Sequence, residues 1–273
     1  MICNLKEVLD LGEKGGFAVP AFNVYNLETV MGVKQAAEET GSPVIFQMYS
    51  RLFDSEVAKY VAPIIKQALD DLKTPCAFHL DHGAGLPEVM RALHWGATSI
   101  MIDRSTESFE ENIAYTKNVV DLCKECGVYV EGEIGHVGSA KDDAMPDYTK
   151  VEEAVEFVNR TGVEALAIAV GTAHGHYKKA PVLAIERIAE IHANTDAHLV
   201  LHGGSGVPDE QITKAIAAGI RKINIGTDVC CSFLDSCRAV DSGIIALDLF
   251  MREPTKAVKE FAVNRIKLLG SDK

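Results

Sequence analysis

A (β/α)8 barrel is the architecture this sequence predicts, and three observations point to it. Eight short apolar or β-branched runs alternate with longer segments whose apolar residues recur at helical spacing. No proline-rich linker or compositional break divides the chain, and 273 residues with 47% hydrophobic content can bury the core of one domain spanning 1–273. Residues able to do chemistry gather at the ends of the predicted strands. A closed barrel brings those ends within reach of one another, whereas an open doubly wound sheet spreads them along an edge.

The predicted strands are FAVPAFNV (17–24), PVIFQM (43–48), CAFHLD (76–81), TSIMID (98–103), YVEGEI (129–134), ALAIAV (165–170), HLVLHG (198–203) and KINIG (222–226). Helical patterns fill the gaps between them, among them 27–40, 55–72, 108–126 and 151–161, each with an apolar stripe. Pro208 or Asp209 suits the start of the helix after strand seven, because proline fits a first helical turn. The segment beyond strand eight exceeds one closing helix, so a C-terminal helical extension is expected, either as a cap on the barrel or as a subunit contact.

Composition narrows the function classes. The 27 basic and 39 acidic residues give a net charge of −12, which opposes non-specific binding to nucleic acid or anionic lipid. No stretch approaches twenty uninterrupted apolar residues, and the acidic start MICNLKEVLDLGEKGG does not resemble a secretory signal, so a cytoplasmic protein is expected. Seven cysteines, an odd number in a chain with a large core, argue for reduced thiols. Cys123 and Cys126 form a C-x-x-C pair, but no second pair follows and they fall at a helix end. A packing role is the reading for them and for Cys230 and Cys231.

Three of the nine histidines share a position. His82 in HLDHG (79–83), His174 in ALAIAVGTAHG (165–175) and His202 in HLVLHGGSG (198–206) each follow an apolar run and lie beside glycine or an acid. Three imidazoles at parallel-strand ends are a ligand set for one metal with an open position, which makes Zn²⁺ the first expectation, with cobalt, iron or nickel also suited to imidazole. His94, His192 and His198 read as helix, surface or strand-start residues. His79 shares the strand face of Asp81 and reads as a hydrogen-bonded residue of the barrel interior. Asp81, Asp103, Glu131 and Glu133 fall at the same strand ends.

Glycine-rich runs recur at the late strand ends: GTAHG (171–175), HGGSG (202–206) and NIGT (224–227). Each alone is compatible with a tight turn. Together, after strands seven and eight, they predict a phosphate site in which backbone N–H groups converge on an anion, with Ser205, Asn224 and Thr227 adding side-chain donors.

HLDHG, GTAHG, HGGSGVP and KINIGTD, in this order and spacing, resemble the class II, zinc-dependent ketose-bisphosphate aldolases, and VPAFNVYNLE and VEGEIG extend the resemblance over nearly the whole chain. The resemblance implies that His82, His174 and His202 hold Zn²⁺ and that Asp81 is the acid/base. Asp103 and Glu133 would hold the metal in an alternative, displaced site. Gly175, Gly203, Gly204, Ser205, Asn224, Ile225, Gly226 and Thr227 would bind the dihydroxyacetone phosphate end, and Lys178 would assist there or beside a monovalent cation. The implied substrate is fructose 1,6-bisphosphate or tagatose 1,6-bisphosphate, and the implied assembly is a homodimer or homotetramer.

The chain also departs from that family's pattern. In GHVGSAKDDAMPDYT (135–149), His136 stands for an arginine and Lys141 for an acid, which leaves Asp142 or Asp143 for proton transfer. Tyr49 stands where a small serine is expected on the aldehyde side. The C-terminal segment lacks an arginine found in relatives, although Arg252 and Lys256 are near. These changes keep open a ketose with a different distal anionic group. A metal-dependent phosphosugar epimerase and a non-catalytic sugar-phosphate sensor are the other readings. The epimerase would need a second acid/base opposite Asp81, and the sensor would bind ligand without turnover.

Overall fold

Eight parallel strands pair in chain order and close on themselves in the computed structural model, which describes residues 1–135, 148–173, 175 and 180–272. They are β1 (Val19–Asn23), β2 (Val44–Tyr49), β3 (Cys76–Gly83), β4 (Ser99–Ile102), β5 (Tyr129–Ile134), β6 (Ala165–Ile168), β7 (His198–Leu201) and β8 (Ile220–Ile225). Pairing of Val19 with Lys222 and of Ala21 with Asn224 joins β8 to β1 and closes the ring. This is the (β/α)8 barrel the sequence predicts.

Alternation along the strands separates two cores, because successive side chains face opposite sides of a strand. Phe22, Phe46, Phe78 and Ile100 face outward into the layer between sheet and helices. Ala21, Ile45, Ala77, Met101, Ala165, Ala167 and Val200 face inward. Small aliphatic residues thus fill the lower barrel. Toward the mouth, most inward positions are polar and buried, namely Asn23, Gln47, His79, Asp81, Glu131, Glu133, Lys222 and Asn224, and the buried Ser99 pairs in register with His79.

The N-terminal sixteen residues, read from sequence only as an acidic start, form helix α1 (Leu5–Gly15). A reciprocal capping box between Asn4 and Glu7 starts it, and Gly16 at φ +66° ends it. Its buried Leu5, Val8 and Leu9 join the inward aliphatic cluster, so α1 plugs the barrel floor.

Between strands lie α2 (Leu27–Thr40), α3 (Ser50–Phe53), α4 (Ala58–Asp71), α5 (Leu86–His94), α6 (Phe109–Lys124), α7 (Val151–Thr161), α8 (Ile185–Asn194) and α9 (Asp209–Ala217). Pro208 occupies the N-cap of α9, one residue before the first turn. After β8 come α10 (Thr227–Ala239), α11 (Leu247–Phe250) and α12 (Arg252–Leu269), the expected C-terminal extension. Helix α12 packs on α2, and Ser271 Oγ bonds Ser42 Oγ at 2.9 Å.

Gly32 permits that helix pair to close, since a Cβ there would lie 2.7 Å from Val258 Cγ1 and 3.0 Å from the Thr255 carbonyl oxygen. Gly32→Ala gains about 1 kcal/mol of helix propensity yet overpacks this contact. We expect a net loss of about 1–2 kcal/mol in urea unfolding with an unchanged m-value; a stabilised variant would show that the close approach is not what holds α12.

Several strands are shorter than the sequence pattern predicts, and at the start of β1 and the end of β6 the backbone bonds elsewhere. Phe17 N–H donates to Gly12 O and Ala18 N–H to Leu269 O, so β1 starts at Val19. Beyond Ile168, Ala169 N–H donates to Thr149 Oγ1 and its carbonyl accepts from Thr149 N–H. Strand β8 instead starts two residues early, at Ile220. No helix among the described residues is long and apolar enough to cross a membrane.

Candidate active site

The C-terminal mouth of the barrel is built on β3, where Asp81 and His82 are adjacent and should point to opposite faces. His82 takes φ +53°, the one non-glycine residue at positive φ among the described residues, and the β3–β4 register shifts between Leu80 and Gly83. A left-handed residue at a bulge re-aims its side chain. Both Asp81 and His82 therefore reach the mouth, while Gly83 is kept small by Met101 O, only 2.8 Å from where a Cβ would lie.

Two histidines meet there. His82 Nε2 and His202 Nδ1 are 2.9 Å apart, with the rings nearly perpendicular. Each far nitrogen faces a carboxylate: His82 Nδ1 is 2.8 Å from Asp103 Oδ2, and His202 Nε2 is 2.7 Å from Glu131 Oε1. Because a carboxylate accepts, these contacts place protons on the far nitrogens and turn the two near nitrogens toward each other, so that a proton or another cation must lie between them. Asp81 Oδ1 lies 3.9 Å from His82 Nε2 and adds a third acceptor. Converging acceptors of this kind call for a cation, and the imidazole–carboxylate pairs are the outer-shell arrangement that orients metal-binding histidines.

The electrostatics agree. Burial opposes charge on His82, but Asp81, the hydrogen bond to Asp103 and the charge of Glu133 outweigh it and hold His82 at about 9. Burial would raise Asp103, but its bond to His82 and the donors of Ser105 keep it well below the carboxylate range. The residues present thus fit a divalent metal. They form two overlapping groups that share His82, namely Asp81 with His82 and His202, and His82 with Asp103 and Glu133. His174 and Lys178 lie outside the described residues, as do His136, Lys141, Asp142 and Asp143.

Asp81 is held by two amides. Asn23 Nδ2 donates to Oδ2 at 2.7 Å and Asn224 Nδ2 to Oδ1 at 3.1 Å. Neither amide can flip without losing a bond, since Gln47 Nε2 donates to Asn23 Oδ1 at 2.7 Å and Lys222 Nζ to Asn224 Oδ1 at 2.7 Å. Lys222, fully buried, also donates to Glu131 Oε2 at 2.8 Å. Asn23, Gln47 and Lys222 were not among the sequence-predicted site residues, and Glu131 was placed among the strand-end candidates without a role. Strand parity carried the signal, because Lys222 shares a face with Asn224 and Glu131 with Glu133.

His79 is the interior residue expected from parity, with Nδ1 2.8 Å from Ser99 Oγ; burial first, then the charge of Lys222, keeps it neutral.

The glycine-rich runs draw backbones together at the ends of β6, β7 and β8. A Cβ on Gly203, at φ +64°, would lie 2.4 Å from Ala173 O, and one on Gly226 would lie 2.8 Å from Asn23 Oδ1. Gly175 is at φ +101°, and a Cβ on Gly204 would lie 2.6 Å from Ile223 Cγ2. Ser205 Oγ accepts from Asp228 N–H in the first turn of α10, beside Thr227. A helix N-terminus framed by glycine turns suits an anion. Two expected members are placed differently: the Asn224 side chain is committed to Asp81 and Lys222, and Ile225 is buried in the outer core, leaving only its backbone for a ligand.

Comparisons with known proteins agree with this geometry. The family model described as fructose-bisphosphate aldolase class-II matches residues 3–273. A sulfofructosephosphate aldolase of Alkalicoccus urumqiensis is 40% identical over 238 residues, covering 85% of this chain and 83% of its own length. The crystal structure of the YdjI aldolase of Escherichia coli K12 superposes with a TM-score of 0.92 at 35% identity, over 100% of this chain and 98% of that one. A putative fructose-1,6-bisphosphate aldolase of Coccidioides immitis gives 0.91 at 28% identity, over 98% and 96%. Aldolases of this family generally depend on a divalent metal and act on small phosphosugars, in keeping with the converging acceptors and the glycine turns. With that match across the barrel, this chain belongs to the class-II fructose-bisphosphate aldolase family, and it is a carbon–carbon lyase.

Proposed function

We propose that this aldolase cleaves a ketose 1-phosphate carrying a second anionic group at its far end, releasing dihydroxyacetone phosphate and an aldehyde that retains that group. The observation that carries the reading is Asp81, an acceptor fixed by two locked amide donors beside His82 and His202. An Asp held in one orientation by two donors keeps lone pairs aimed into the mouth, which positions it to take the proton of the substrate C4 hydroxyl. As that proton moves to Asp81, the C3–C4 bond breaks. C4 becomes the aldehyde carbonyl, and the electron pair left at C3 is delocalised into the C2 carbonyl.

His82 and His202, with His174 in our reading, would hold the metal, for which Zn²⁺ is our assignment. When bound, the metal supplies Lewis-acid polarisation of the ketone, so no Schiff-base lysine is required. Asp103 and Glu131 orient the two imidazoles; Asp103 and Glu133 with His82 offer an alternative metal position. Gly203, Gly204, Ser205, Gly226 and Thr227 would seat the phosphate, aided by Gly175 and Lys178. Return of a proton to C3 is assigned to the 136–147 segment, where Asp142 and Asp143 are the candidates.

Among distal groups, the sulfonate of a sulfofructose phosphate is supported by the relative of that activity, alongside the phosphate of fructose or tagatose 1,6-bisphosphate. A homodimer or homotetramer is supported by the apolar exposure of Ile245 (96%) and Leu247 (68%) in the C-terminal extension.

The test is a cleavage screen of zinc-loaded protein against these three ketose phosphates and unphosphorylated fructose, with chelated protein as control. Metal-dependent release of dihydroxyacetone phosphate is expected. Release of free dihydroxyacetone instead would remove the phosphate assignment, and no release from any ketose would remove the reading.

A further inference from the structure

We infer that Arg51, stacked on Tyr49 at the end of β2, is the specificity residue that receives the terminal oxyanion of the substrate. The inference rests on the proposed cleavage of a ketose 1-phosphate with a distal anion.

Tyr49 is the last residue of β2 and pairs in register with Asp81. Its ring centroid is 5.9 Å from that of His82, so it forms part of the wall beside the reacting atoms. The Arg51 guanidinium carbon lies 4.7 Å from the centre of the Tyr49 ring. Arg51 and His82 thus both lie against the Tyr49 ring. The phosphate end is assigned to the loops after β7 and β8, and the reacting carbons lie at Asp81 and His82. The remaining carbons of a six-carbon ketose must then run on past Asp81, on the side where β2 ends.

An anion there meets an unfavourable field. Asp81, Asp103 and Glu133 line the mouth, and the whole chain carries −12. A matching cation is needed, and Arg51 is exposed and makes no ion pair or hydrogen bond with any described residue. Arg104, just past β4, is already committed, to Ala84 O and to Glu107. Stacking leaves the in-plane N–H groups of a guanidinium available while fixing its plane, and that planar fork suits the oxygens of a sulfonate or phosphate. The same charge reaches the hydroxyls of Tyr25 and Tyr49. Burial foremost raises both hydroxyls, followed by Cys230 and then Asp81 for Tyr25 and by Asp81 for Tyr49, and Arg51 acts in the opposite direction on each.

The experiment compares wild type, Arg51→Gln and Arg51→Lys in dihydroxyacetone phosphate release from sulfofructose 1-phosphate, fructose 1,6-bisphosphate and fructose 1-phosphate, which has no distal anion. Arg51→Gln should lower kcat/KM about 10- to 100-fold on a distally anionic substrate, mainly through KM, and several-fold at most on fructose 1-phosphate. Arg51→Lys should recover part of the loss. A larger loss on the sulfonate than on the bisphosphate would assign the sulfonate, and the reverse order would assign the phosphate. Equal losses on all three substrates, or none, would overturn the role of Arg51 with the aldolase reading intact. Wild-type protein that cleaves none of them would overturn that reading and this inference with it.

Discussion

Asp81→Asn is expected to retain its metal and its fold while ketose cleavage falls by about 10²- to 10⁴-fold, the usual worth of a positioned acid/base. The substitution preserves shape but leaves no carboxylate to take the C4 proton. It also changes the hydrogen bonding. Asn23 and Asn224 both donate to Asp81, and a side-chain amide offers only one oxygen to two donors whose orientations are fixed by Gln47 and Lys222. Turnover and metal content of the purified variant, measured together, decide the matter. Near-normal cleavage would remove Asp81 from the mechanism, whereas loss of metal along with activity would make it chiefly a ligand.

Lys222→Met should cost about 3–5 kcal/mol in equilibrium unfolding, because removing one partner of a buried ion pair strands the other charge. Lys222 and Glu131 are both fully buried and 2.8 Å apart. Glu131 would keep its contact with His202 and lie 3.6 Å from His79 Nε2, which burial keeps uncharged. The loss should extend to the mouth. Glu131 fixes the His202 tautomer and Lys222 fixes the Asn224 amide, so metal affinity should fall about 10- to 100-fold, as it does when such outer partners are lost. Adding Glu131→Gln should restore part of the stability. A single variant within about 1 kcal/mol of wild type and with unchanged metal affinity would contradict the coupling of this pair to the site.

The barrel was legible because each β/α unit carries its own local signals: a short apolar run, a glycine or acid at its end, and then helical spacing. The interior role of His79 followed from the same period of two that pairs it with Asp81. Three features were not legible. His82 has the wrong parity for the barrel mouth and reaches it only through a left-handed backbone and a register shift, which no run of letters displays. Lys222 reads as an ordinary polar strand residue, and Glu131 as a strand-end acid without a role, until closure places Lys222 of β8 opposite Glu131 of β5. Asn224, read as a phosphate donor from its neighbouring glycines, follows strand parity inward to Asp81 instead. The predicted ligand His174, with Lys178 and Lys141, falls outside the described residues.

Closure of the ring also sets an order of events in synthesis. The acceptors that gather at the mouth come from β3, β4 and β5, from the end of β7 and from β8, and β8 pairs with β7 on one side and, on the other, with β1 at the opposite end of the chain. A nascent chain that has emerged only as far as β5 already carries Asp81, His82, Asp103 and Glu133, but neither His202 nor the lysine that balances Glu131. Such long-range pairings form late, after the entropy of closing the loop between them has been met. In the proposed reading, the metal would therefore load after the ring has closed. A cation captured by the first half on the ribosome would meet Asp81, Asp103 and Glu133 with His82 but without His202, a set suited to harder ions than one that offers both imidazoles.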